Sequence, residues 1–135
     1  KLMAKKYIGK IIVPPGVIIE RHEKIAVDYL AAKHGKDVTF LLPNRKKGSK
    51  TPDVEMDGKL WEIKSPTGKG SRTIENILRS ALRQSRYIIL DLRRMDGRVP
   101  TSRHIKNIKK QFDLSKSFKH IVVITRQEER IDFTR

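Results

Sequence analysis

Two acids and one lysine flank a predicted turn and could together bind a metal ion or share a proton. Two alternating runs of apolar and polar residues surround Asp57-Gly58, a strong signal for a two-residue β-hairpin. In that register Asp53 faces Glu62, and Lys64 shares their face because side chains alternate along a strand. Directly opposed residues have Cβ atoms about 4.5–5.5 Å apart, and two carboxylates so placed repel, so a metal ion, a shared proton or Lys64 would have to compensate. The ordinary alternative is a solvated ion-pair face.

The charge balance indicates a polyanionic partner. The 135 residues include 31 Lys and Arg against 15 Asp and Glu, a net charge of +16. This excess favours nucleic acid. The absence of cysteine excludes disulfides, thiolate metal sites and thiol catalysis. No segment has the pattern of a membrane span, a signal peptide or a basic membrane-surface helix, so we expect no membrane contact by this domain.

The order of the predicted elements indicates an α/β (α+β) fold, with a central mixed β-sheet flanked by three helices. We expect residues 1–10 to be a basic linker or a frayed N-terminus, and residues 11–135 to form a single domain. Apolar stripes predict helices that begin at Glu20 and end at Gly35, and that span 74–86 and 103–113. Alternating or continuous apolar runs predict strands at 11–13, 38–43, 53–56, 59–65, 87–92, 120–125 and 130–134.

The central hairpin also carries a known sequence pattern. Pro52-Asp53, eight further residues and then Glu62-Ile63-Lys64 fit the PD-(D/E)XK nuclease pattern, and the predicted element order fits the core of that fold. In such a site Asp53 and Glu62 hold Mg²⁺ through oxygen ligands, and Lys64 orients or deprotonates the attacking water. Glu23, on the first helix, could join this metal cluster. The pattern is loose, but its position across a two-residue hairpin adds specificity.

A wider set of short motifs occurs in order along the chain. They are Val13-Pro-Pro-Gly-Val17, His22-Glu23, Gly35-Lys-Asp-Val38, Thr51-Pro-Asp53, Asp57-Gly58, Trp61-Glu-Ile-Lys-Ser65 and Gln84-Ser85. From about Ile11 to Asp132 the chain resembles the C-terminal toxin nucleases of contact-dependent growth inhibition proteins (CdiA type). The resemblance implies a tRNA-cleaving toxin domain at the C-terminus of a larger exported bacterial protein. It further implies delivery to the cytoplasm of a target cell and neutralisation by a cognate immunity protein, and it allows a host translation factor as a further partner.

The resemblance leaves two mechanisms open. Some of these toxins have a barnase/colicin-D-like fold and cut RNA without a cofactor, whereas others have the PD-(D/E)XK core and use Mg²⁺. Without metal, His22 is a natural acid or base, Glu62 could share that work, and Lys64 with an arginine such as Arg83 would stabilise the developing charge. With metal, His22 becomes peripheral.

The second predicted helix carries a basic stripe formed by Arg72, Arg79, Arg83 and Arg86. Like charges at helical spacing destabilise a helix slightly, so we interpret the stripe as a set of phosphate contacts rather than a solvated face. The loop before this helix could wrap RNA. The predicted substrate-binding residues are Ser65, Thr67, Arg72, Thr73, Arg79, Arg83 and Gln84.

The sequence therefore predicts a ribonuclease toxin domain that cleaves tRNA. One alternative is a metal-dependent PD-(D/E)XK DNase on the same residues, and another is a basic nucleic-acid-binding module without catalysis. The predicted catalytic residues are His22, Glu23, Asp53, Glu62 and Lys64, of which Asp53 and Glu62 bind metal only in the metal-dependent alternative.

Overall fold

A single mixed sheet organises the chain. The computed structural model of the protein describes residues 7–43 and 51–135. Within those ranges seven strands lie in the sheet in chain order, with parallel pairing for β1–β2, β4–β5 and β5–β6 and antiparallel pairing elsewhere. The strands are β1 Ile11–Ile12, β2 Val38–Phe40, β3 Val54–Met56, β4 Lys59–Lys64, β5 Tyr87–Asp91, β6 His120–Ile124 and β7 Arg130–Thr134. The helices are α1 Arg21–His34, α2 Ser71–Leu82 and α3 Thr101–Leu114. The predicted fold class is confirmed.

The hairpin of β3 and β4 has the predicted register. Asp57 and Gly58 have φ values of 54° and 73°, as a type I′ turn requires. Val54 pairs with Trp61, and Met56 pairs with Lys59. The side chains predicted to face the core are buried, namely Val54, Met56, Trp61 and Ile63. The opposite face of β4 therefore presents Glu62 and Lys64.

The helices differ from their predicted limits by one or two turns at most. Helix α1 ends at Gly35, whose φ of 62° is left-handed and whose N–H donates to the Leu30 carbonyl. Ile25 is 41% exposed although it is apolar, because α1 packs through a stripe that includes Val27 instead. Helix α2 begins after Gly70 rather than at the predicted residue 74, and it ends at Leu82 rather than at residue 86.

The sheet separates two apolar layers. On one face α1 packs against alternate residues of β2 to β6, with Trp61 and Ile63 at the centre of that layer. On the other face α2 and α3 cover Ile88 and Leu90 of β5 and Ile121 and Val123 of β6. Glu62 pairs in register with Ile88, so its side chain emerges on the α2 face of the sheet. The candidate active site lies at the edge of the sheet where this apolar layer ends.

Two segments singled out in the sequence, residues 1–10 and 44–50, lie partly or wholly outside the described residues. The expected linker falls partly outside them, and within them the Gly9 N–H donates to the Ala31 carbonyl while the Lys10 N–H donates to Asp37. The expected lysine-rich loop at 44–50 lies outside the described residues. No helix in the described ranges combines the length and hydrophobicity needed to cross a membrane.

Candidate active site

The hairpin positions Asp53 beside Glu62. Asp53 directly precedes β3, and its N–H donates to the Trp61 carbonyl at 2.9 Å. Its Oδ2 accepts the N–H of Ile63 at 2.8 Å, which directs the carboxylate across β4. Asp53 is therefore held at two points by the backbone of the strand that carries Glu62.

Glu62 is the buried member of the site. It is 6% exposed, and its Oε2 lies 3.5 Å from the Nζ of Lys64. Its Oε1 is buried and has no hydrogen-bond partner among the described residues. Burial, followed by the charge of Asp53, raises the pKa of Glu62 to about 8, against the opposing effect of Lys64. This burial contradicts the alternative of a solvated ion-pair face.

Helix α1 adds a third carboxyl group from its first turn. Burial and the adjacent Asp53 raise the pKa of Glu23 to about 7, with a smaller contribution from Glu20. Asp53 thus acts on the carboxyl groups of both Glu23 and Glu62. We call Glu23, Asp53 and Glu62 the acidic cluster. Among the described residues, the acidic cluster forms one salt bridge, which joins Glu62 to Lys64.

The acidic cluster offers carboxylate donors to a divalent cation, but its three acids do not bring one oxygen each within 4.8 Å of one another, as Glu20, His22 and Glu23 do among the described residues. Its donors are carboxylate oxygens, the ligands that Mg²⁺ and Mn²⁺ prefer. The unpartnered Oε1 of Glu62 points to a ligand that the protein itself does not supply. Raised carboxyl pKa values are the expected signature of acids placed together before a cation neutralises them.

His22 lies beside the acidic cluster, against a different cavity. Its Nδ1 is 3.5 Å from Oε2 of Glu20, and its side chain is 27% exposed. Its cavity, of about 420 Å³, is also lined by Arg94. One donor atom from each of Glu20, His22 and Glu23 lies within 4.8 Å of the others. His22 thus belongs to a second group of possible ligands, which shares Glu23 with the acidic cluster.

The predicted substrate-binding residues divide into two groups. Ser65 and Thr67 follow β4 directly, and Arg72 and Thr73 lie in the first turn of α2, so these four lie at the same end of β4 as Lys64. Arg79 instead forms a salt bridge with Glu75 over the groove between α2 and α3.

Arg83 and Gln84 follow the end of α2 at the opposite end of β4. The adjacent Ser85 hydroxyl donates to the Leu60 carbonyl, which is two residues before Glu62 and four before Lys64. At about 3.3 Å per residue these separations are roughly 7 Å and 13 Å. Arg83 and Gln84 therefore follow α2 on the side of Glu62 away from Lys64, and the Oε1 of Gln84 is buried without a hydrogen-bond partner among the described residues. Because α2 ends at Leu82, the predicted stripe does not continue along the helix to Arg86.

Sequence reasoning missed Arg94, which the structure places against Ser65, the residue after Lys64. Its Nε donates to the Ser65 hydroxyl at 3.0 Å, and one Nη group donates to the Ser65 carbonyl. Arg94 lies in a basic loop 29 residues from Ser65, and nothing in the spacing distinguishes it from its neighbour Arg93. Only the parallel pairing of β4 with β5 brings the two segments together.

Comparison with known proteins identifies the family. Residues 50–130, which include the hairpin and everything up to the start of β7, match the family model of the contact-dependent growth inhibition CdiA C-terminal domain. This chain belongs to that family. The resemblance drawn from its motifs is therefore confirmed, and the protein is a CdiA C-terminal toxin domain.

The fold of this CdiA C-terminal domain also resembles a solved structure. The match is to the CdiA-CT/CdiI toxin and immunity complex from Burkholderia pseudomallei, with a TM-score of 0.67 and 17% sequence identity. It covers 94% of this chain and 100% of that chain. At this identity the likeness establishes a shared fold. No protein among those with curated descriptions matches the chain.

Proposed function

We propose that this CdiA C-terminal domain is a nuclease that hydrolyses phosphodiester bonds of tRNA with the aid of a divalent cation. The observation that carries the proposal is the acidic cluster, in which Glu62 is buried and Glu23 and Asp53 are half-buried, with Lys64 at 3.5 Å from Glu62. Three adjacent acids, two of which have raised pKa values, are costly for a merely structural protein. Its location at an open strand end leaves it accessible from solvent through Lys64 and Asp53.

The residues have separable roles in this proposal. Glu23, Asp53 and Glu62 would hold the cation, which when bound supplies positive charge to the scissile phosphate. Lys64 keeps its ammonium beside Glu62, where its N–H groups can donate to a phosphate oxygen or to the attacking water. The backbone N–H of Ile63 fixes the Asp53 carboxylate, so that two of the three ligands come from a rigid hairpin.

A metal-free mechanism is the second candidate, because of one observation. The pKa values of about 7 for Glu23 and about 8 for Glu62 place an acid and a base near neutral pH. Such a pair can exchange protons with a ribose 2′-hydroxyl and a leaving oxygen, with Lys64 stabilising the charge on the phosphate. His22 would assist only if the substrate spans the neighbouring cavity.

Charge and family membership support the substrate and the partner. The net charge of +16 suits a nucleic acid, and tRNA is the substrate implied by the motif resemblance. The Burkholderia domain of the same fold was solved with an immunity protein. We propose that this domain has a cognate immunity protein of its own, and that it acts in the cytoplasm of a target cell after delivery by a larger exported protein.

Incubation with total tRNA and with plasmid DNA, each with Mg²⁺ and with EDTA, tests the proposal. Cleavage of tRNA only with Mg²⁺ is the expected result. Cleavage of tRNA in EDTA supports the metal-free candidate, and cleavage of plasmid alone supports the DNase alternative. Binding of either polymer without cleavage under all conditions contradicts nuclease activity.

A further inference from the structure

The cavity that contains His22 lies next to the acidic cluster and has a cationic lining. Its volume is about 420 Å³, and it is lined by Glu20, Arg21, His22, Ile25 and Arg94. A smaller cavity on the other side of Glu20 is lined by Glu23 and Asp53. Because the two cavities share Glu20, a chain-like ligand can extend from the acidic cluster into the larger one.

Arg94 is held in this cavity without a carboxylate partner. Its neighbour Arg93 pairs with Asp91 and Glu128, and Arg98 pairs with Asp96. Across residues 7–43 and 51–135, Arg94 forms no salt bridge, and its hydrogen bonds go to Ser65 through Nε and one Nη group. The other Nη group remains available, so the guanidinium is oriented and still has donors for an anion.

The start of α1 adds further donors to the same cavity. Arg21 and His22 occupy the first turn, and the N-cap residue Glu20 provides no side-chain cap. Uncapped N–H groups and the positive end of the helix dipole favour an anion here. The contact between His22 and Glu20 orients the imidazole at the cavity wall.

We propose that this cavity binds a phosphate group of the nucleic-acid strand, adjacent to the phosphate that is cut. Arg94 contacts this flanking phosphate with its available Nη group, and His22 contacts the same phosphate from the opposite wall. This inference rests on the proposed function, because it assigns a neighbouring position on the same substrate. It gives His22 a binding role in place of the catalytic role predicted from sequence.

The test measures binding in a background that cannot cleave. In Glu62→Gln protein, fluorescence anisotropy with a labelled single-stranded RNA gives the Kd at several salt concentrations. The variants are Arg94→Gln, His22→Gln and the double variant, with Arg98→Gln as the charge-matched control from the same loop region. Arg98 is exposed and already paired with Asp96, so its loss should have little effect.

We expect Arg94→Gln to weaken binding about tenfold and to reduce the slope of log K against log salt by about one. His22→Gln should weaken it less, and the double variant should be close to Arg94→Gln alone, because both side chains contact one phosphate. A change in the salt slope separates a phosphate contact from a structural effect on Ser65.

Three results overturn the subsite: equal effects of Arg94→Gln and Arg98→Gln, fully multiplicative effects of Arg94→Gln and His22→Gln, or no RNA binding by the Glu62→Gln protein. Cleavage of tRNA by the unsubstituted protein, measured in parallel, reports separately on the proposed nuclease activity. Cleavage without the Arg94 effect would reject the subsite alone. The Arg94 effect without cleavage would reject the nuclease and retain the subsite.

Discussion

Replacement of Glu62 by Gln should stabilise the metal-free domain at alkaline pH. Glu62 is buried beside Asp53, and one of its oxygens lacks a hydrogen-bond partner in the described part of the chain. Ionising it in the folded state is unfavourable, whereas it ionises normally in the unfolded chain. The neutral amide of Gln has nearly the same shape and removes the repulsion with Asp53.

The size of the expected gain in stability follows from the difference between the folded and unfolded pKa values of Glu62. The pKa of Glu62 is about 8 in the folded protein and 4.5 in its ordinary state. At about 1.4 kcal/mol per pH unit, this difference sets an upper limit of about 5 kcal/mol. Solvent screening at the open edge, together with the lost Lys64 contact, reduces the expected gain to about 1–2 kcal/mol.

The direction of this pKa shift determines the pH range in which the stability of the domain changes. Below pH 4.5 Glu62 is protonated in both the folded and unfolded states, so it makes no difference to stability. Between 4.5 and about 8 the folded state binds more protons, and the stability of the unsubstituted domain therefore falls as the pH rises. Above about 8 the full penalty is present, and there the gain from Glu62→Gln should be largest.

Urea denaturation in EDTA between pH 5 and pH 9 measures this gain. Glu55→Gln is the matched control, because Glu55 is an exposed acid of the same hairpin. The reasoning is refuted if Glu62→Gln is no more stable than Glu55→Gln at pH 9, or if its advantage does not diminish on acidification.

Three further predictions concern the cation, a buried histidine and the far end of α2. At pH 8, Mg²⁺ at a hundred times its Kd should stabilise the unsubstituted domain by about 2–3 kcal/mol in urea denaturation. Asp53→Asn should lose this stabilisation, and equal stabilisation of both proteins would contradict the assigned ligands. Burial, with Arg103 and Arg126, lowers the pKa of His104 below 6.5, so the stability of the domain should fall as the pH drops below that value. His104→Leu should flatten this part of the curve of stability against pH, and parallel curves for the two proteins would exclude His104 as the cause. Arg79→Gln should change the rate of tRNA cleavage by about twofold at most, because Arg79 pairs with Glu75 over the groove between α2 and α3; a large loss would place it in the site after all.

The hairpin could be predicted because its determinants are local. Asp57-Gly58 sets the turn, the turn sets the register, and the register decides which residues share the face of Glu62. Gly35 ended α1 for an equally local reason. The pairing of Asp53 with Glu62 could therefore be read before any tertiary contact was known.

The surroundings of the hairpin depend on contacts between distant segments. Helix periodicity located α1 but could not show which apolar residues would stay exposed, as Ile25 does. Spacing on α2 could not show that Arg79 pairs with Glu75 over the groove next to α3, or that the helix ends at Leu82, before Gln84. Arg94 reaches Ser65 only through the order of strands in the sheet.

The central claim is that the acidic cluster and Lys64 act as one catalytic unit. Initial rates of tRNA cleavage by Lys64→Ala, Glu62→Gln and the double variant, with Glu55→Gln as control, test it most directly. We predict that each single substitution removes nearly all activity, that the double variant is hardly worse, and that the control is unaffected, because residues that act together are not additive. Substantial activity in either single variant, or losses that multiply in the double variant, would contradict the account.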